Sequence, residues 1–250
     1  ADLFLEAVGP RTRGIVINSP CNPTGVLMAE GELARLADEA ARRGIWILLD
    51  LCYERLVYDP VPHNLPRVLF ERMRDRTVLA GSASKAYAMT GWRCGWTIGP
   101  KPLIAACNAA QSHSTSNVCS ITQQAALAAL SGPQDCVRRM LEVYRRRRDL
   151  TFDLLTATGR IRAAKPAGAF YLFLDVSDLL SPSGLASSAA LAQALLDEAR
   201  VALTAGEAFD APGFVRVSYA TSEDRIREGA ARIARFVEAL DRGDVAVAAR

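Results

Sequence analysis

Apolar positions in this chain follow two rhythms. Short unbroken apolar runs recur through the first hundred residues, at 14–18, 45–49, 77–80 and 94–98. Each has the length of a strand and is bordered by turn-forming residues. Between the first two runs the spacing becomes helical: Leu33, Leu36, Ala37 and Ala40 fall on one face, and Gly44 is placed to stop the helix. A shorter helix is predicted over 66–74. Strands that alternate with helices, each a continuous apolar run, predict an α/β domain. Its sheet is mostly parallel and sandwiched by helices.

The second half changes character. Residues 123–130 read as a helix ended by Gly132-Pro133. A long helix over 134–157 carries Val137, Met140, Leu141, Tyr144 and Leu155 on one side and closes at Gly159. A strand at 169–174, a helix at 191–200, a strand at 214–218 and a helix at 222–240 then predict a small α+β domain. The expected division is a large domain over 1–133, a connecting helix over 134–158 and a small domain over 159–250. Residues 243–250 are expected to fray.

Composition sets outer limits. The chain has 250 residues, 50% hydrophobic and 23% charged, with a net charge of +3, which is ordinary for a soluble protein of one or two domains. The run Arg145-Arg146-Arg147-Arg148 covers every face of its helix, so it reads as a solvated, ion-paired segment and not as a nucleic-acid surface. Six cysteines form no C-x-x-C pair, and only His63 and His113 accompany them. This argues against a zinc site and for scattered free thiols. No stretch suits a membrane span or a signal peptide, so the cytoplasm is the expected location. The chain opens at Ala1 inside a helical pattern, which reads as a fragment or an incomplete reading frame.

Chemistry concentrates after the third apolar run. Lysine occurs only at Lys85, Lys101 and Lys165. Lys85 ends the stretch Ser82-Ala83-Ser84-Lys85, eight positions before Arg93. An amine at a strand end beside anion-binding groups suits a Schiff base with a phosphorylated aldehyde. Parallel sheets bind ligands at the carboxyl ends of their strands, where Asn22, Asp50 and residues 82–85 all fall. Arg216 lies between Val215 and Val217 on a strand that is otherwise apolar, and a buried arginine needs an anion. Plainer roles remain open: a turn cap for Asp50, turn chemistry for the serines, packing for Tyr53, a surface position for Lys85 and a structural ion pair for Arg216.

In order and spacing, Asn22-Pro23-Thr24-Gly25, Asp50-x-x-Tyr53, Ser82-x-Ser84-Lys85, Gly91-x-Arg93-x-Gly95 and Arg216-x-Ser218 resemble the fold-type I, class I pyridoxal-phosphate aminotransferases. Residues 86–93 and 112–117 look like the bacterial aspartate aminotransferase branch. The resemblance implies pyridoxal 5'-phosphate as cofactor, bound through Lys85, which also moves the substrate proton. It implies that Asp50 pairs with the ring nitrogen, Cys52 lies against a ring face, and Tyr53 and Asn22 bond the ring oxygen. Ser82, Ser84 and Arg93 are implied for the phosphate, and Arg216, with Asn22, for the substrate α-carboxylate. The implied reaction passes an amino group from aspartate or another dicarboxylic amino acid to 2-oxoglutarate. The implied assembly is a homodimer with residues 111–120 near its interface, and no metal, nucleic acid or membrane takes part.

The family pattern also implies a segment before the first strand, with a Gly-rich phosphate loop, a stacking aromatic and the specificity residues. Without it one sheet edge is expected to be open and turnover poor. Ala205 and Asp210 stand where the family has proline and glycine, which puts the loop before Arg216 in question. Three alternatives compete: β-elimination or ring closure on the same cofactor, a catalytically incompetent fragment, and a serine acylase. The last would read Ser82-x-x-Lys85 as S-x-x-K, but that class also wants K-T-G, and no lysine here precedes Thr-Gly.

Overall fold

The apolar runs become strands whose register carries their ends to one level. The computed structural model describes residues 1–59, 61–180 and 185–244. The chain divides into two compact units, Ala1–Cys21 with Val26–Arg139, and Asn22–Gly25 with Met140–Arg250. Of the tail expected to fray, residues 245–250 lie outside the described residues.

In the first unit α1 (Asp2–Ala7), β1 (Gly14–Asn18), α2 (Glu30–Arg43), β2 (Trp46–Asp50), α3 (Leu65–Met73) and β3 (Thr77–Ser82) follow in turn. A one-turn α4 (Ala83–Ala86), β4 (Gly95–Ile98), α5 (Lys101–Ser114) and α6 (Ser120–Ser131) complete it. The sheet order is β1-β2-β3-β4. The first three strands are parallel, with Asn18 beside Asp50 and Asp50 beside Ala80. β4 runs antiparallel to β3, a direction that its short apolar run did not reveal.

The core of this unit lies on one sheet face. Ile15, Ile17, Ile47, Leu49 and Leu79 meet Leu33, Leu36, Ala37 and Ala40 of α2 and Leu65, Val68, Leu69 and Met73 of α3. Each such burial contributes about 1.5–3 kcal/mol for the larger side chains. Gly44 closes α2 in the left-handed conformation, its N–H reaching Ala40 O and Ala41 O. The other face differs from the expectation of full cover: Val16 is 67% and Ile98 51% exposed. β1 alternates inward and outward along its length, so half of a continuous apolar run faces away from the core. α5 had no forecast, because it buries no residue and so leaves no apolar stripe to read.

α7 (Asp135–Thr156) crosses the boundary between the units. The second unit continues with β5 (Arg162–Ala163), β6 (Tyr171–Asp175), α8 (Ser177–Leu180), α9 (Ser188–Ala199), β7 (Thr204–Ala205), β8 (Phe214–Ser218) and α10 (Glu223–Arg242). Its antiparallel sheet has the order β5-β6-β8-β7. Ser187 and Ser222 cap α9 and α10 by accepting N–H bonds from Ala190 and Arg225. Leu172, Leu174, Val215, Leu191, Leu195, Ile233 and Phe236 are buried here, as an α+β unit requires.

The arginine run is ion-paired as expected, through Arg146 to Glu223 and Arg148 to Asp149, but it is not solvated throughout. Arg148 is 6% exposed. Its Nη1 donates to Pro166 O at 3.1 Å and its Nε to Asp149 Oδ1 at 2.9 Å. A helix position that faces the interior buries even arginine when a carbonyl and a carboxylate receive it. Among the described residues no helix is long and apolar enough to cross a membrane, and no group of three or more metal-ligating side chains forms. All six cysteines are free thiols.

Candidate active site

Asp50 is the last residue of β2, where the chain leaves the sheet. Its Oδ1 accepts a hydrogen bond from Cys52 N at 2.8 Å, so the turn role is real and engages one carboxylate oxygen. The turn continues to Tyr53, which is 7% exposed and whose carbonyl accepts from Leu56 N at 2.8 Å. β3, the next strand, ends at Ser82. Ser82 Oγ accepts from Ser84 N at 3.0 Å and so starts α4. The same hydroxyl donates to Cys94 O at 3.4 Å. Its proton is therefore directed at a carbonyl, which runs against an acylase reading with Lys85 as its base.

Lys85 sits in α4, one residue after Ser84, and not at the strand's own end. Its Nζ lies 6.0 Å from the centre of the Tyr53 ring. Cys52 reports on the whole group. Burial pushes its thiol above the usual range, and the negative charge of Asp50 adds to that. The Lys85 ammonium and a hydrogen bond with Ser82 act the other way. Cys52 thus lies within electrostatic reach of Asp50, at the end of β2, and of Lys85 in α4, and within hydrogen-bond reach of Ser82, at the end of β3.

Arg93 follows a 3-10 turn at Thr90–Trp92 and holds a left-handed φ of 53°. Its Nη1 donates to Thr90 O at 2.8 Å. It is exposed, and its hydrogen bond goes to its own turn and not to the serines. Gly81 explains itself by proximity: a Cβ there would meet Trp96 Nε1 at 2.2 Å, so only glycine lets the indole cover the strand before Ser82. Tyr87, two residues after Lys85, donates to Gln134 Oε1 at 3.0 Å, a tie that the sequence did not suggest.

In the second unit Arg216 lies on β8 between β6 and β7. Nη1 donates to Asn22 Oδ1 at 2.7 Å and Nη2 to Thr204 Oγ1 at 3.2 Å. The ion pair considered for Arg216 is not what holds it: its hydrogen-bond partners are neutral, and Tyr171 and Phe209 present ring faces. Asn22 belongs here because the strap Asn22–Gly25 docks on this unit. Gly25 O accepts from Ala167 N and Gly168 N, and Gly25 has φ +68° with no room for a Cβ, which would meet Pro166 Cβ at 2.4 Å.

The questioned loop keeps its geometry. Ala205 has φ −65° and ψ 145°, values that proline would adopt, and Asp210 has φ 52°, a left-handed value that aspartate tolerates in place of glycine. Thr204, Tyr171 and Phe209 were not singled out by sequence. Thr204 faces Arg216 across the β7–β8 pairing, a relation that exists only once a two-residue strand is paired.

Comparison with known proteins bears on the chain as a whole. The profile of the family described as Aminotransferase class I and II matches residues 2–233. The chain is 41% identical over 234 residues to an aspartate aminotransferase of Geobacillus stearothermophilus, covering 94% of this chain and 60% of that protein. It is 41% identical over 240 residues to an aspartate/prephenate aminotransferase of Cereibacter sphaeroides, with the same coverage. The crystal structure of an aspartate aminotransferase from Rhizobium meliloti superimposes with a TM-score of 0.89 at 38% identity, covering 95% of this chain and 61% of that one. An aromatic aminotransferase structure from Pyrococcus horikoshii gives 0.89 at 33% identity, covering 98% and 64%. The chain therefore spans about 60% of the length of these curated relatives.

Proposed function

Since this chain belongs to the class I and II aminotransferase family, we propose that its protein transfers the amino group of an amino acid to a 2-oxo acid. Class I aminotransferases use pyridoxal 5'-phosphate. The observation that carries the proposal is the grouping about Cys52: the Asp50 carboxylate at the end of β2, the Ser82 hydroxyl at the end of the parallel β3, and the Lys85 amine in the turn that follows it. That donor set fits a group with a ring cation, an aldehyde and a phosphate.

Bound there, pyridoxal phosphate supplies an electron sink for the charge left at the amino acid's α-carbon when its proton departs. Lys85 Nζ takes that proton and returns it to the other side of the transfer, as a general base and then a general acid. Asp50 would set its negative charge against the ring nitrogen and so favour that nitrogen's protonated form. Cys52 would lie against the ring, and Tyr53 and Asn22 would bond its oxygen. Ser82, Ser84 and Arg93 take the phosphate. For Arg93 this requires its side chain to turn from Thr90. Arg216, with Asn22, grips the substrate α-carboxylate.

In this proposal residues 1–133 form the cofactor-binding domain, 134–158 the connecting helix and 159–250 the small domain. The donor is aspartate or another dicarboxylic amino acid and the acceptor 2-oxoglutarate, supported by the names of the relatives. The protein acts in the cytoplasm as a homodimer. Residues 111–117 are exposed and α5 buries no residue, which supports placing 111–120 near the interface.

The test is a product assay with pyridoxal phosphate, aspartate and 2-oxoglutarate. Oxaloacetate and glutamate in equal amounts are expected. Ammonia release, or a cyclic product, without glutamate would instead assign β-elimination or ring closure.

A further inference from the structure

Arg216 is held at two points, and only one of them is Asn22. Thr204 stands opposite Arg216 in the pairing of β7 with β8, and its Oγ1 accepts from Nη2 at 3.2 Å. Asn22 Oδ1 accepts from Nη1 at 2.7 Å. The guanidinium carbon lies 4.4 Å from the ring centre of Tyr171 and 5.0 Å from that of Phe209. One hydrogen bond leaves the guanidinium plane free to swing, whereas two on different nitrogens define it. Each terminal nitrogen carries two N–H groups, so each keeps one for a bidentate carboxylate.

We propose that Thr204 is a positioning residue for carboxylate binding: its hydroxyl fixes the plane in which Arg216 meets its ligand. The proposal rests on reading Arg216 as the carboxylate anchor. It separates the hydroxyl from the rest of the side chain, because valine has similar size and at least equal strand preference but accepts no hydrogen bond. A purely structural role for position 204 would leave valine neutral.

The experiment is calorimetric titration of succinate, a dicarboxylate with no amino group to transfer, into the chain at low salt. Wild type, Thr204→Val, Thr204→Ser and Arg216→Gln are compared after circular dichroism shows matching folds. If the valine variant does not fold, Thr204→Ala takes its place. Thr204→Val is expected to weaken binding about tenfold, the low end for loss of one hydrogen bond to a charged group, because the hydroxyl acts through Arg216 and not on the ligand. Thr204→Ser restores it to within about twofold, and Arg216→Gln abolishes it. Wild-type affinity in Thr204→Val, or equal losses in the serine and valine variants, overturns the role of Thr204 and leaves Arg216 standing. Binding that survives Arg216→Gln, or no binding by wild type, overturns the anchor itself.

Discussion

Arg216 Nη1 and Asn22 Oδ1 meet at 2.7 Å although 194 positions separate them in the chain. The strap Asn22–Gly25 makes this possible, because it leaves the first unit and packs with the second. A lysine at 216 offers a point charge and cannot match the planar fork that Asn22 and Thr204 hold. Arg216→Lys is expected to lower kcat/KM for an amino acid donor about 100-fold, the loss of two charge-assisted bonds. Steady-state kinetics check this, and a change below threefold would contradict it.

Asp50 separates turn chemistry from charge. Asparagine retains an Oδ1 that can accept from Cys52 N, as Asp50 does at 2.8 Å, so Asp50→Asn should fold with the stability of the parent. Transamination should nevertheless fall at least about 100-fold, the scale for removing one preorganised electrostatic partner. The Cys52 thiol gives a second readout. Asp50 helps to hold it above the usual range, so neutralising that charge lowers it and Cys52 alkylates faster at a fixed pH. Mass spectrometry of the labelled peptide measures the rate.

The strap depends on Gly25. Gly25→Ala must hold φ +68° and place its Cβ 2.4 Å from Pro166 Cβ. The expected loss is about 2–4 kcal/mol from left-handed strain and overpacking together, read from urea unfolding. Activity should fall as well, because the strap carries Asn22.

His63 supplies a pH dependence. Burial pushes its pKa below the ordinary histidine value, with Ser19 and Glu30 opposing, and its Nδ1 is buried without a hydrogen-bond partner. Folding therefore disfavours the charged form. Above the unfolded value of about 6.5 the group is neutral in both states and stability is unaffected. As pH falls through that value the unfolded chain takes the proton first, and stability declines until the lower folded value is passed. Melting temperature should drop as pH falls through the unfolded value of about 6.5, and His63→Gln should flatten that drop. An unchanged slope in the variant would contradict the assignment.

How much of this was readable before folding follows from local physics. The stripe of Leu33, Leu36, Ala37 and Ala40 and the stop at Gly44 are local, and α2 forms where they indicate. The position of Asp50 at the end of β2 was legible because the apolar run stops there, whereas Lys85 falls past the end of β3, in the turn that Ser82 caps. The antiparallel turn of β4, the two-residue strands β5 and β7 and the docking of Asn22–Gly25 depend on distant partners, and no local pattern marks them. Arg148 misled because a run of like charges suggests solvent, while one helix position faces inward.

Reduction with borohydride after exposure to pyridoxal phosphate bears most directly on the role of Lys85. With three lysines in the chain, peptide mapping is unambiguous. The predicted result is a visible absorption band that disappears on reduction and leaves the pyridoxyl adduct on the Lys85 peptide, with none in Lys85→Ala. A colourless protein, or an adduct confined to Lys101 or Lys165, would contradict it.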